Sequence, residues 1–266
     1  MNNSLPFPEF LQFLLDLTSL QLHFAWRWAD EHPGETIREV LRHRVDLCRK
    51  TDPVPADYDI ATQDFTRPAW VELENRLAAI HTHVKSAAEF EAQAVECVRP
   101  VLETFARKTF GSTVKIAGYQ CGSLMYDTPE AVTPGVVNFH IGNAIAPVSI
   151  FADPGYLPHC LSDLMNQTEA KYGANILKTG TWLNSFPKWL ELFPAEWQTS
   201  LSPINTSVGW HYGFWGQFVS AKGTLNIKYA RHLRDTGAFP FYPREGRCSF
   251  AALRGHLKQR KGGISD

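Results

Sequence analysis

The chain has 266 residues, 44% of them apolar, enough for one large domain or two joined ones whose cores need no covalent staples. Its 26 Lys and Arg nearly balance 27 Asp and Glu, so the net charge of −1 argues against the basic surface that nucleic acid selects. The opening Met-Asn-Asn-Ser-Leu-Pro lacks a positive leader region and Asp16 interrupts the apolar run Phe7 to Leu22, so neither a secretion signal nor a membrane span is expected.

The first part, residues 1–110, reads as helical throughout. Phe10, Phe13, Leu14 and Leu17 fall at i, i+3, i+4 and i+7, and Ile37, Val40, Leu41, Val45 and Cys48 repeat the pattern. After a Pro/Asp-rich break at Thr51 to Asp59, Leu73, Leu77, Ile80 and Val84 make a third stripe. Ser86-Ala-Ala-Glu89 is a capping box that opens a fourth helix carrying Phe90, Val95, Val98, Leu102 and Phe105.

Past Gly111 short runs of Val, Ile, Tyr and Phe alternate with Pro/Gly turns, which marks the sheet-bearing part. Strands are expected near Val114 to Tyr126, Val136 to Ile141 and Ile176 to Leu183, with a helix from about Tyr156 to Tyr172 closed by Gly173. A short helix around Phe186 to Phe193 stops at Pro194, and Ser202 to Ser207 is a loop. Trp210 to Phe218 packs five aromatics into nine residues, the density of a core seam or a cleft wall. A last helix is expected from Leu225 to Arg234. The fold class is therefore α+β: an all-helical region, 1–110, packed on a mixed α/β domain, 111–257, with a polar tail, 258–266.

The five cysteines are scattered, odd in number and without a Cys-x-x-Cys pair, which points to reduced, buried thiols in a cytoplasmic protein and away from disulfides or structural zinc. No feature lowers the pKa of Cys121, so it reads as a small buried hydrophobe.

Leu124-x-Tyr126-Asp127, then His140-Ile141, then Pro147-x-Ser149, a helix, and Trp182-Leu183 follow one another in an order that resembles the bacterial acyltransferase-like proteins. Those join a helical N-terminal domain to a C-terminal domain of the GNAT type. The resemblance implies a mixed sheet splayed near its centre, with a coenzyme A thioester, or one bound to an acyl carrier protein, in the gap. The usual pyrophosphate loop of that fold is absent: Gln120-Cys-Gly122 lies too early and opens no helix.

Acyl transfer needs a base for the acceptor's proton and donors for the thioester oxygen. His140 is the first candidate base, because an imidazole is neutral and accepting near neutral pH, with Asp127 to fix its tautomer. The alternative is a core histidine bonded to a main-chain carbonyl. Tyr126 is a candidate proton donor to the leaving thiolate, and amides near Ile141 to Asn143 are candidate oxyanion donors. Substrate-binding candidates are Asn143, Trp182, Asn184, Ser185, His211 and Trp215, although Asn184-Ser185 before Phe-Pro is equally a capping turn and Trp182 equally fills space.

The expected partner is a small-molecule acceptor. Two other classes fit the same residues: a non-catalytic binding or assembly module on this fold, favoured by the missing loop, and a metal-dependent hydrolase or oxygenase drawing on His140, His159 and His211. No helical i, i+4 ligand spacing supports the latter, so no metal site is assigned.

Overall fold

The periodicities resolve, in a computed structural model that describes residues 5–51, 63–110 and 119–262, into N-terminal helices followed by a four-stranded sheet. In chain order the elements are α1 (Phe7–Glu31), α2 (Ile37–His43), α3 (Pro68–His83), α4 (Ala87–Thr109), β1 (Leu124–Tyr126), β2 (Val136–Ile141), α5 (Tyr156–Tyr172), β3 (Ile176–Thr181), α6 (Pro187–Leu190), α7 (Ala195–Ser200), α8 (Tyr212–Trp215), α9 (Ile227–Thr236), β4 (Arg244–Ser249) and α10 (Phe250–Gly262). This is the α+β class expected. The part of the first expected strand that falls on residues 114–118 lies outside the described residues.

Two compact units divide the chain, and the boundary differs from the expected one. Residues 207–240 belong with the N-terminal helices, while the described residues 119–206 and 241–262 form the α/β unit. The reason is the aromatic seam. Trp215 and Phe239 each meet Phe24 of α1 edge-on at 5.4 Å, and the Trp215 indole donates to the Arg44 carbonyl at 2.8 Å. In this unit α1 and α4 bury Phe13, Leu17, Leu20, Phe90, Ala94 and Leu102, each large apolar side chain contributing about 1.5–3 kcal/mol. A complete capping box, Thr36 with Glu39, starts α2; at α4 the Ser86 hydroxyl caps the Glu89 amide, while the Glu89 carboxylate turns to the Lys85 amide instead.

The sheet order is β1-β2-β3-β4, with β2 and β3 parallel and the outer pairs antiparallel. Inward residues Leu124, Tyr126, Val137, Phe139, Leu177 and Cys248 pack with Leu161, Leu164, Trp189, Trp197 and Leu253. α5 ends at Gly173, whose left-handed φ of 65° a side chain would strain.

β4 and α10 were not legible as such. In Arg244-Glu-Gly-Arg-Cys-Ser249 only Gly246 and Cys248 are buried, and a Cβ at Gly246 would stand 2.5 Å from the Trp197 ring, so the strand carries a glycine where a hydrophobe would have announced it. α10 runs to Gly262, through the start of the expected polar tail, because Phe250, Leu253 and Leu257 bury a stripe at i, i+3, i+7.

Both sheet edges are occupied by side chains, which denies them to a foreign strand. The Ser200 and Ser202 hydroxyls accept from the Arg247 and Glu245 amides at 2.8 and 2.9 Å along β4. On β1 the Gln120 carboxamide imitates a strand, accepting from the Tyr126 amide at 3.2 Å and donating to its carbonyl at 3.3 Å.

Candidate functional site at the end of the second strand

Alternation along β2 turns Val137 and Phe139 into the core and Asn138 and His140 onto the opposite, exposed face. The antiparallel register sets Met125 opposite His140, and the Asp127 amide donates to the Asn138 carbonyl at 3.0 Å, so Asp127 stands one step away on the same face. His140 Nε2 then lies 2.8 Å from Asp127 Oδ2, which also accepts from Asn138 Nδ2 at 2.9 Å. A carboxylate only accepts, so the proton sits on Nε2 and the Nδ1 lone pair of the neutral ring is left as the acceptor. Among the described residues Nδ1 has no partner.

The His140 and Asp127 side chains are 47% and 48% exposed. An ion pair this accessible contributes no more than about 1 kcal/mol to stability, so its geometry orients the ring without holding the fold.

β2 and β3 share only three ladder pairs, Val136↔Ile176, Val137↔Leu177 and Asn138↔Lys178, although β2 continues to Ile141 and β3 to Thr181. Beyond Asn138 the Thr179 hydroxyl donates to the Phe139 carbonyl at 2.6 Å, where a main-chain ladder would otherwise run. His140 and Gly180 stand at that end, past the last pair.

The other candidates separate from this site, each for a physical reason. Tyr126 pairs with Phe139 and points into the core, where its hydroxyl donates to Gln167 Oε1 at 3.2 Å; alternation puts it on the opposite face from His140, so it is not a proton donor there. Asn184 is fully buried and saturated. Its amide donates to the Thr179 and Arg244 carbonyls at 3.0 and 2.8 Å, and its carbonyl accepts from the Trp189 and Trp197 indoles at 3.0 and 3.2 Å, leaving nothing for a substrate. The Ser185 hydroxyl donates to the Tyr242 carbonyl at 2.7 Å, and Trp182 stacks on Phe241 at 5.9 Å.

Asn143 braces its own loop, donating to the Val148 carbonyl and accepting from the Ile145 amide. The Gly142 amide donates to the Ser123 carbonyl at 3.0 Å and is not an oxyanion donor. His211 and Trp215 belong to the helical unit: His211 caps α8 through Nδ1 to the Gly213 amide at 3.2 Å, with burial holding its pKa below the usual value, and Trp215 is fully buried. All five cysteines are buried with free thiols, and burial pushes the Cys121 thiol up to about 11, which leaves no reactive thiolate there.

Sequence reasoning missed Asn138 and Thr179. The signal for Asn138 was its spacing of two from His140, which alternation places on one face; the Thr179 bond depends on the register of two strands separated by a helix and had no local sign.

Among the described residues no group of three or more His, Cys, Asp or Glu is placed to hold a metal ion, and His159 on α5 pairs with Asp163 at 3.3 Å, so the metal-dependent reading finds no donor set. Nor is any described helix long and apolar enough to cross a membrane. No protein-family model matches the chain, and no significant match was found among curated proteins or solved structures.

Proposed function

We propose that the chain transfers an acyl group from a thioester, coenzyme A or carrier-bound, to an amine or hydroxyl of a small metabolite at the exposed end of β2. The observation that carries this reading is the His140–Asp127 dyad standing where the β2–β3 ladder stops. An ammonium acceptor must lose a proton before it attacks, and the free Nδ1 of His140 is the group to take it. Asp127 then faces the imidazolium and stabilises it, while Asn138 holds the carboxylate in place.

A thioester suits the chemistry of this border. Gly180 carries no side chain, Ile141 is half-buried and apolar, and the alternation that turns Asn138 and Gly142 toward β1 turns the Ile141 amide toward β3 as a donor for the acyl oxygen. The bound thioester would supply the activated acyl carbon. The resemblance in motif order supports the same reading; the absent pyrophosphate loop means that the phosphates would rest on other groups.

Incubation with acetyl-CoA and longer acyl-CoAs against a panel of amines and alcohols, with thiol release as the signal, tests it. His140→Ala should lower turnover by about 10²- to 10⁴-fold with the melting temperature within a few degrees. Retained turnover in the variant would remove His140 from the mechanism. The half-exposure of both dyad members favours a second reading, a binding module whose sheet face docks a carrier; calorimetric binding of thioesters without turnover would select it.

A further inference from the structure

We propose that Arg247 and Lys178 form an anion subsite beside His140, so that the substrate handled there carries a carboxylate or phosphate; this rests on His140 being the reacting centre. The exposed face of the sheet is ordered in two rows. One holds Asn138, Lys178 and Arg247, since Asn138 pairs with Lys178 and Lys178 with Arg247. Next along the strands Gly180 pairs with Glu245, while His140 stands past the last β2–β3 pair. Neighbouring strands lie about 4.8 Å apart, so Lys178 stands one strand and Arg247 two strands across the sheet from β2, within reach of a small molecule held at His140.

The charges in the first row do not cancel. Like charges directly opposite one another across an antiparallel pair are unfavourable, yet Lys178 and Arg247 are so placed. Glu245 answers only one of them, lying 3.2 Å from Lys178 Nζ. Among the described residues the Arg247 guanidinium has no hydrogen-bond or ion-pair partner, and its main-chain groups are fixed by Ser200 on the strand edge. A planar fork of donors, anchored at its base and unanswered at its tip, suits a carboxylate or a phosphate oxygen pair. Gly180 has no side chain of its own, and the Glu245 chain leans against it, its Cγ 3.6 Å from where a Cβ would stand.

Two sources of such an anion are separable with the full-length protein. With a phosphate-free thioester such as acetyl-N-acetylcysteamine as donor, an amino acid and its methyl ester are compared as acceptors. R247E should raise KM for the amino acid by roughly 10- to 100-fold and leave the ester unchanged if the anion belongs to the acceptor. If it belongs to the donor, R247E raises KM for acetyl-CoA and not for the phosphate-free thioester. Unchanged KM in every arm overturns the proposal while leaving acyl transfer standing.

A readout independent of turnover keeps the two ideas apart. In a protein without detectable activity, titration with inorganic phosphate followed by the imidazole NMR signals of His140 should still give a saturable shift that R247E abolishes. A shift with no turnover keeps the subsite and sinks the transferase reading; no shift at any phosphate concentration, or one that R247E leaves intact, sinks the subsite.

Discussion

His23 with Glu91 in the helical unit and His140 with Asp127 on the sheet are bonded at 3.0 and 2.8 Å, yet the carboxylates are differently employed. Glu91 of α4 is held by two other helices at once: Ser19 and His23 of α1 donate to it, and so does Arg234 of α9. Its charge is already matched by a guanidinium, and the second nitrogen of His23 is buried without a hydrogen-bond partner among the described residues. Asp127 has only an amide besides the imidazole, and the second nitrogen of His140 stands on an exposed face. The difference teaches that a histidine–carboxylate pair gains proton-handling capacity only where no other cation satisfies the carboxylate and the free nitrogen can be reached.

If saturation and burial together mark a structural polar group, the severest loss should come at Asn184. Asn184→Leu removes two donors and an acceptor that serve four partners, three of them on buried residues, and each buried group orphaned costs about 1–3 kcal/mol. A loss of stability of at least about 4 kcal/mol is expected from denaturant unfolding followed by tryptophan fluorescence, because Trp189 and Trp197 report the site directly. A loss under about 1 kcal/mol would break the argument from saturation.

Glu91 comes next. Burial alone would raise its pKa, but the hydrogen bonds from His23, Arg234 and Ser19 outweigh it and bring the carboxyl from 4.5 to about 2. A folded-state pKa below the unfolded value stabilises above the unfolded value and is lost as pH falls through the folded one. The contribution, roughly 3 kcal/mol, is therefore complete above about pH 5 and disappears between about pH 4.5 and 2. Glu91→Gln should cost about that much at pH 7 and flatten the acid limb of the stability curve.

What the sequence disclosed follows the range over which each signal acts. The apolar stripes of α1 and α4 and the pairing of Asp127 with His140 were legible because a helix repeat and a strand alternation across one hairpin are local. Asn184 was misjudged because Asn-Ser before Phe-Pro is a capping pattern locally, whereas its partners lie five, 13 and 60 residues further along. The same distance hid the destination of the aromatic seam: nothing within Trp210 to Phe218 says that Trp215 will meet Phe24. β4 was hidden by its own solution, a glycine made necessary by a tryptophan from another element.

Asp127→Asn isolates what the unshared carboxylate does. The amide keeps an oxygen able to accept from Nε2 but cannot balance an imidazolium, so kcat should fall by about 10- to 100-fold with KM for the acceptor unchanged. Asp127→Glu should recover part of the loss, which a merely structural residue would not do. Equal changes in kcat and KM would reassign Asp127 to substrate binding.

The smallest effect separates saturation from burial. Gln120 makes both hydrogen bonds its carboxamide can offer to the main chain of Tyr126, as fully engaged locally as a strand neighbour, yet it lies at the exposed edge of β1. Water can replace it there, so Gln120→Ala should cost only about 1 kcal/mol, against the several expected at Asn184 for bonds of similar length. Because the edge loses its cover, the variant should show its deficit as concentration-dependent association, read by light scattering, before it shows it in melting temperature. A Gln120→Ala penalty as large as that of Asn184→Leu would mean that engagement alone, without exclusion of water, decides which polar groups the fold depends on, and the contrast drawn between the two histidine pairs would lose its second criterion.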